Sequence, residues 1–347
     1  MGSLEKEARY FFKTYGSLKL LGPGIWKHIV SSPPSGRFET CLSALGYKGD
    51  PTGFFCRVFE LIEKRKPVVI NQIRVPVIFL VWVLEKVYPH DRVKTITDPD
   101  QIHFLVSGSE NREIEKVLDL YPVRLSGHAI RQCMVSKAVC AQYLPCAEEL
   151  DPWGFDTTFE GHSEQGIIEQ MYRNRVIFLL GMACPVYCRF CFRKHKSLRK
   201  KGSPKRPQIL EALSRVQADQ NIREVLITGG EPFLYRKNLE TALDGIGTID
   251  HIRVVRIATR SVSYFPRLFL KNKARLVRFL EEKHGALKAR GKSMEIGVHF
   301  IHPDEISVQS LEILTRLAGS GIRVYLQTPF LKGINNEDQV LKELFSS

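Results

Sequence analysis

The chain has 347 residues, of which 44% are hydrophobic and 25% charged, proportions of an ordinary folded protein and not of a disordered or collagen-like one. Its length predicts two domains, and its eight cysteines, irregularly spaced, exclude a disulfide framework. The formal net charge of +14 is unevenly placed, because residues 189–206 hold nine Lys or Arg and no acid. Such a run reads first as a solvated loop. Its functional reading is a docking site for something acidic: RNA, a phosphorylated cofactor or an acidic electron donor.

Residues 1–97 are expected to form an accessory, mainly helical domain, with breaks at 22–24 and 31–36. Residues 54–63 have helical periodicity, and Cys41 and Cys56 read as core thiols. The apolar run at 75–84 is half a membrane span and contains Pro76. No basic start with a long apolar core opens the sequence, so no signal peptide is predicted. Residues 98–171 are expected to be a helical bridge, with a helix to about Val139. Cys133, Cys140 and Cys146 lie in it at wide, uneven gaps that argue against a compact ligand loop.

From Arg175 the pattern becomes α/β. Strands are predicted at 176–180, 224–228, 253–258, 294–301 and 322–327, with helices at 208–219, 274–284 and 307–318 between them. Strand–helix alternation implies a parallel sheet that right-handed crossovers curl into a barrel. Chemistry in such barrels sits at the C-terminal ends of the strands. In the fourth strand Met294, Ile296, Val298 and Phe300 share an apolar face, opposite Glu295, Gly297 and His299. In the fifth, Ile322, Val324 and Leu326 oppose Arg323, Tyr325 and Gln327. A polar inner face predicts an open site where a packed core would otherwise lie. His302 reads equally as a loop cap or a site residue.

The first of these strands breaks into a loop with Cys184, Cys188 and Cys191, spaced i, i+4, i+7. Three thiols in so short a span select an iron–sulfur cluster, zinc or copper(I). Zinc sites usually show paired C-x2-C knuckles, which are missing here. A four-iron cluster on three thiolates leaves one iron open, a catalytic arrangement. A three-thiolate cluster also needs a reducing compartment, which places the protein in the cytoplasm.

With Phe190 just before the third cysteine, this C-x3-C-x2-C stretch resembles the signature of the radical S-adenosylmethionine (SAM) superfamily. Gly229, Gly230 and Glu231, which follow the second strand, resemble the superfamily's motif for the amino group of SAM. Blocks at 256–260, 298–306 and 327–335 are similar to the lysine 2,3-aminomutase family. The resemblance implies a [4Fe–4S] cluster on Cys184, Cys188 and Cys191, with SAM chelating the fourth iron and yielding a 5′-deoxyadenosyl radical. It further implies SAM contacts at Gly229, Gly230, Glu231, His299 and Gln327. Arg193 would pair with an amino-acid carboxylate, and Arg175 would lie near pyridoxal phosphate (PLP). The implied partners are an amino-acid substrate and an acidic electron donor such as flavodoxin or ferredoxin, with no membrane and a homo-oligomer allowed.

The sequence departs from that family in one respect. No lysine matches the PLP-binding position; Lys332 and Lys342 read as loop and helix-surface residues. We therefore expect a partial (β/α) TIM-type barrel over residues 172–347, open after strand five, in a chain incomplete at its C-terminus. The three readings are an aminomutase-like isomerase, a radical SAM enzyme acting on a protein lysine or nucleic acid, and a truncated, non-catalytic relative.

Overall fold

The computed structural model describes residues 68–70, 73–75, 93–96, 111–150, 167–191, 193 and 203–346. Cys41, Cys56, the 54–63 helix, most of the 75–84 run and most of the basic run lie outside them. Two short antiparallel pairs precede the main sheet: β1 (Val68–Ile70) with β2 (Ile73–Val75), and β3 (Lys94–Ile96) with β4 (Val123–Leu125). Around β4 lie α1 (Asn111–Leu120), α2 (Gly127–Val135) and α3 (Lys137–Cys140). Ser126 caps α2 by accepting from Ala129 N at 2.9 Å. Its hydroxyl also donates to the Tyr264 carbonyl, which ties this helical layer to the short helix that follows the fourth strand of the main sheet.

The described part of the bridge is therefore less helical than its sequence predicts. β4 is too short for periodicity to reveal, although Val123 and Leu125 are fully buried on either side of Arg124. β3 and β4 also join in one ladder across the expected division at 97/98.

The main sheet has six strands in the order β10–β9–β8–β7–β6–β5. They are β5 (Ile168–Tyr172), β6 (Arg175–Leu179), β7 (Glu224–Thr228), β8 (Val254–Thr259), β9 (Ser293–His299) and β10 (Arg323–Gln327). β6 to β10 are parallel neighbours in sequence order. The crossovers carry α4 (Arg206–Ala218), α5 (Arg236–Thr248), α6 (Ser261–Tyr264), α7 (Arg267–Lys288) and α8 (Val308–Gly319). α9 (Asp338–Ser346) follows β10. β5 was not predicted; it folds back antiparallel on β6 through a turn at Arg173 and Asn174. Its polar sequence hides it from a hydrophobic pattern.

Alternation decides what each face of the sheet does. Val176, Phe178, Val225, Ile227, Val255, Ile257, Met294 and Ile296 are buried in one core with Ile209, Leu243, Leu280 and Ile313 of the helices. The opposite face carries a charge ladder. Arg175 bonds Glu224 at 2.7 Å, Glu224 meets Arg256 at 3.3 Å, Arg256 meets Glu295 at 2.7 Å, and Glu295 meets Arg323 at 3.0 Å. The predicted polar inner face is thus present. Leu326, expected with Ile322 on the apolar face, is exposed instead, because β10 is an edge of the described sheet. Among the described residues no helix is long and apolar enough to cross a membrane.

Candidate active site

Two loops meet where β6 and β7 end, and they meet backbone to backbone. Gly230 N donates to Gly181 O at 2.7 Å, and Glu231 N donates to Ala183 O at 2.9 Å. A Cβ on Gly230 would lie 2.4 Å from Ala183 O, and one on Gly229 2.3 Å from Gly181 O. Gly229 also has φ of +129°, which side chains other than hydrogen rarely permit. The glycine pair is therefore required by close approach to the thiol loop. Tyr235 completes the clamp from below, its hydroxyl accepting from Ala183 N at 2.7 Å.

The far side of the thiol loop is held by the helical layer. Tyr187 N donates to Arg124 O at 2.9 Å, and Arg189 N to Gln142 O at 2.9 Å. Arg189 is buried and ion-paired with Glu149 at 2.6 Å. Cys184, Cys188 and Cys191 form no disulfide, and each is partly buried. Burial pushes the Cys188 thiol up to about 11, against the opposing pull of the Arg260 guanidinium. Cys133 and Cys140 are buried in the core around β4, and Cys146 is exposed.

The Glu231 carboxylate does not face open space. It is 1% exposed, caps the following 3-10 turn by accepting from Phe233 N at 3.2 Å, and accepts from Thr259 Oγ1 at 2.8 Å. Burial raises its pKa, with these donors acting in the other direction. Its expected role as the acceptor for an ammonium group therefore meets a carboxylate already engaged in shaping the loop.

Arg260, the last residue of the 256–260 block, directly follows β8, and its environment was not legible in the sequence. Its Nη2 donates to Glu305 Oε1 at 2.8 Å and to Gln142 Oε1, and its Nη1 donates to Cys188 Sγ at 2.7 Å. Burial pulls the Arg260 pKa down, but Cys188, Tyr143 and Glu305 together hold it above its ordinary value. Glu305 in turn accepts from Ile301 N at 2.6 Å and His302 N at 3.0 Å. An arginine directly after an apolar strand was the available signal.

Of the other predicted residues, His299 and Gln327 come together in register at the ends of β9 and β10, 2.6 Å apart. Burial, aided by Arg260, lowers the His299 pKa. His302 caps a turn, its Nδ1 accepting from Asp304 N at 3.2 Å. Arg193 is buried and ion-paired with Glu169 of β5 at 3.6 Å. Arg175 begins β6, at the end away from the thiol loop, and pairs with Glu224. Lys332 and Lys342 are exposed. The buried Lys292 donates to the Ile249 and Ile252 carbonyls, before β9 begins.

The thiol loop fits an iron–sulfur cluster by its donor set: three cysteines outside any disulfide on one short loop, one of them already accepting a guanidinium N–H. Among the described residues no three His, Cys, Asp or Glu side chains form a ready-made metal group.

Comparison with known proteins finds the following similarities. The family model of the radical SAM superfamily matches residues 179–344. The L-lysine 2,3-aminomutase of Methanococcus maripaludis is 29% identical over 244 residues, covering 68% of this chain and 54% of that protein. The glutamate 2,3-aminomutase of Clostridioides difficile is 30% identical over 196 residues, covering 56% of this chain and 43% of that protein. The chain thus spans about half the length of these relatives. Among solved structures, Streptococcus suis SuiB aligns over 53% of this chain and 47% of its own at 17% identity, with a TM-score of 0.29.

Proposed function

Since the chain belongs to the radical SAM superfamily and has 2,3-aminomutases among its relatives, we propose that it is a radical SAM enzyme acting on a free amino acid. The observation that carries this reading is the main-chain clamp between the thiol loop and the Gly229–Gly230 turn. When bound, the cluster and SAM supply one-electron cleavage of SAM to a 5′-deoxyadenosyl radical.

The chain's own residues supply place and shelter. Cys184, Cys188 and Cys191 would hold the cluster. Gly229, Gly230 and Glu231 shape the turn that receives the amino group of SAM, the Glu231 carboxylate acting through its hold on Phe233 N and Thr259. His299 and Gln327, bonded to each other, close the far side of the same site. Arg193 receives the substrate carboxylate, which replaces Glu169 as its partner; a planar guanidinium suits that exchange. An acidic donor protein would supply the reducing electron. No step is assigned to PLP.

Anaerobic reconstitution tests this. We expect about four irons per chain and, with a strong reductant, release of 5′-deoxyadenosine from SAM. Replacing any of the three loop cysteines by alanine should abolish the visible absorbance, while Cys133→Ala should leave it. Equal bleaching by Cys133→Ala, or no nucleoside from the loaded wild type, would falsify the assignment.

A further inference from the structure

The geometry points to Arg260 as a positioning residue that acts through the Cys188 sulfur to raise the reduction potential of the cluster, an inference that rests on the cluster reading above. The contact is short, 2.7 Å from Nη1 to Sγ, and the residue making it is almost sealed from water. Nothing leaves the guanidinium free to swing away. Its Nη2 is held by Glu305 and Gln142. Its plane is walled by Tyr143 and Phe190, each with its ring centroid 5.0 Å away, and by Tyr264 at 5.9 Å.

The anchors are themselves anchored. Glu305 is fully buried, and its Oε2 takes two backbone N–H groups from the segment after β9. Its Oε1 also accepts from the Tyr143 hydroxyl at 3.3 Å. The carboxylate cannot follow the arginine, so the framework imposes the N–H···S contact.

The direction of the effect follows from charge. A cluster taking up one electron becomes more negative, and the added density spreads onto its thiolate sulfurs. An N–H donor on one sulfur stabilises that state more than the oxidised one, so hydrogen bonds to sulfur are among the levers that set cluster potential. Glu305 offsets much of the charge of Arg260 at long range. The directional N–H···S bond is therefore the larger part of the effect, and it requires the forked geometry of guanidinium. A lysine ammonium would keep the charge but could not serve Cys188, Gln142 and Glu305 in one plane.

The test uses the full chain, reconstituted anaerobically, as wild type, Arg260→Met and Arg260→Lys. Iron content is measured first; then a redox titration with dithionite and mediator dyes is followed by EPR. We expect Arg260→Met to hold as much iron as wild type while its reduction constant falls at least tenfold, which is about 59 mV more negative for one electron. Arg260→Lys should move in the same direction by less. Wild-type iron content with an unchanged potential in Arg260→Met overturns the inference. Should Arg260→Met hold no iron, Arg260→Lys decides by the same criterion. A wild-type chain that takes up no cluster overturns both the functional reading and this one, whereas a loaded wild type with unmoved variants overturns this one alone.

Discussion

The inner face of the sheet and the strand ends above it are built from the same chemistry and differ in access to water. The ladder from Arg175 to Arg323 alternates sign across five strands, yet its end arginines are 38% and 59% exposed. The pair at the strand ends, Arg260 and Glu305, is 6% and 0% exposed. Ion pairs in contact with water are worth about 0–1 kcal/mol, because solvent replaces a lost partner. Inside, no such replacement exists, and removing one partner strands the other. The ends of the ladder are thus open to tuning, while its inner carboxylate Glu295 is only 3% exposed, and the sealed pair is part of the frame on which the thiol loop rests.

The largest effect should come from breaking the sealed pair. Glu305→Ala leaves Arg260 uncompensated and frees Ile301 N and His302 N, so we expect a loss of about 3–5 kcal/mol in denaturant unfolding. A loss below about 1 kcal/mol would erase the distinction between the two regions. Next comes Gly230→Ala, whose new methyl meets main-chain atoms that cannot rotate away. We expect about 1–3 kcal/mol of destabilisation, together with weaker iron retention, since the thiol loop is the part that must yield.

A smaller effect is one of pH. His299 has a folded pKa below its ordinary value of 6.5. As pH falls below 6.5 the unfolded chain takes up the proton first, so stability declines there. His299→Gln should flatten that decline in melts between about pH 6.5 and 5; an unchanged slope would show that His299 does not contribute. Smallest of all is Arg323→Gln at the exposed end of the ladder. Its cost should stay within about 1 kcal/mol and vanish in high salt.

What the sequence disclosed follows the range of the interactions involved. The five parallel strands were legible because each alternates or runs apolar over its own length, and the predicted bounds lie close to those observed. The thiols were legible because their spacing is local. β5 was not, since Glu169 and Gln170 dilute its pattern and only a ladder with β6 defines it. The partners of Arg260 were not legible either: Gln142 lies 118 residues before it and Glu305 45 after it. The engagement of Glu231 was hidden for the same reason, since Thr259 is 28 residues away.

The clamp on the thiol loop also has a practical side. Ala183 is exposed, and both bonds that fix it use its main chain: its N–H reaches Tyr235 and its carbonyl receives Glu231 N. The methyl group takes no part in either bond. Position 183 is therefore a vantage point next to Cys184 where a spectroscopic label can be installed without loosening the loop. A nitrile or spin label there would sense occupancy of the site directly, independently of any turnover.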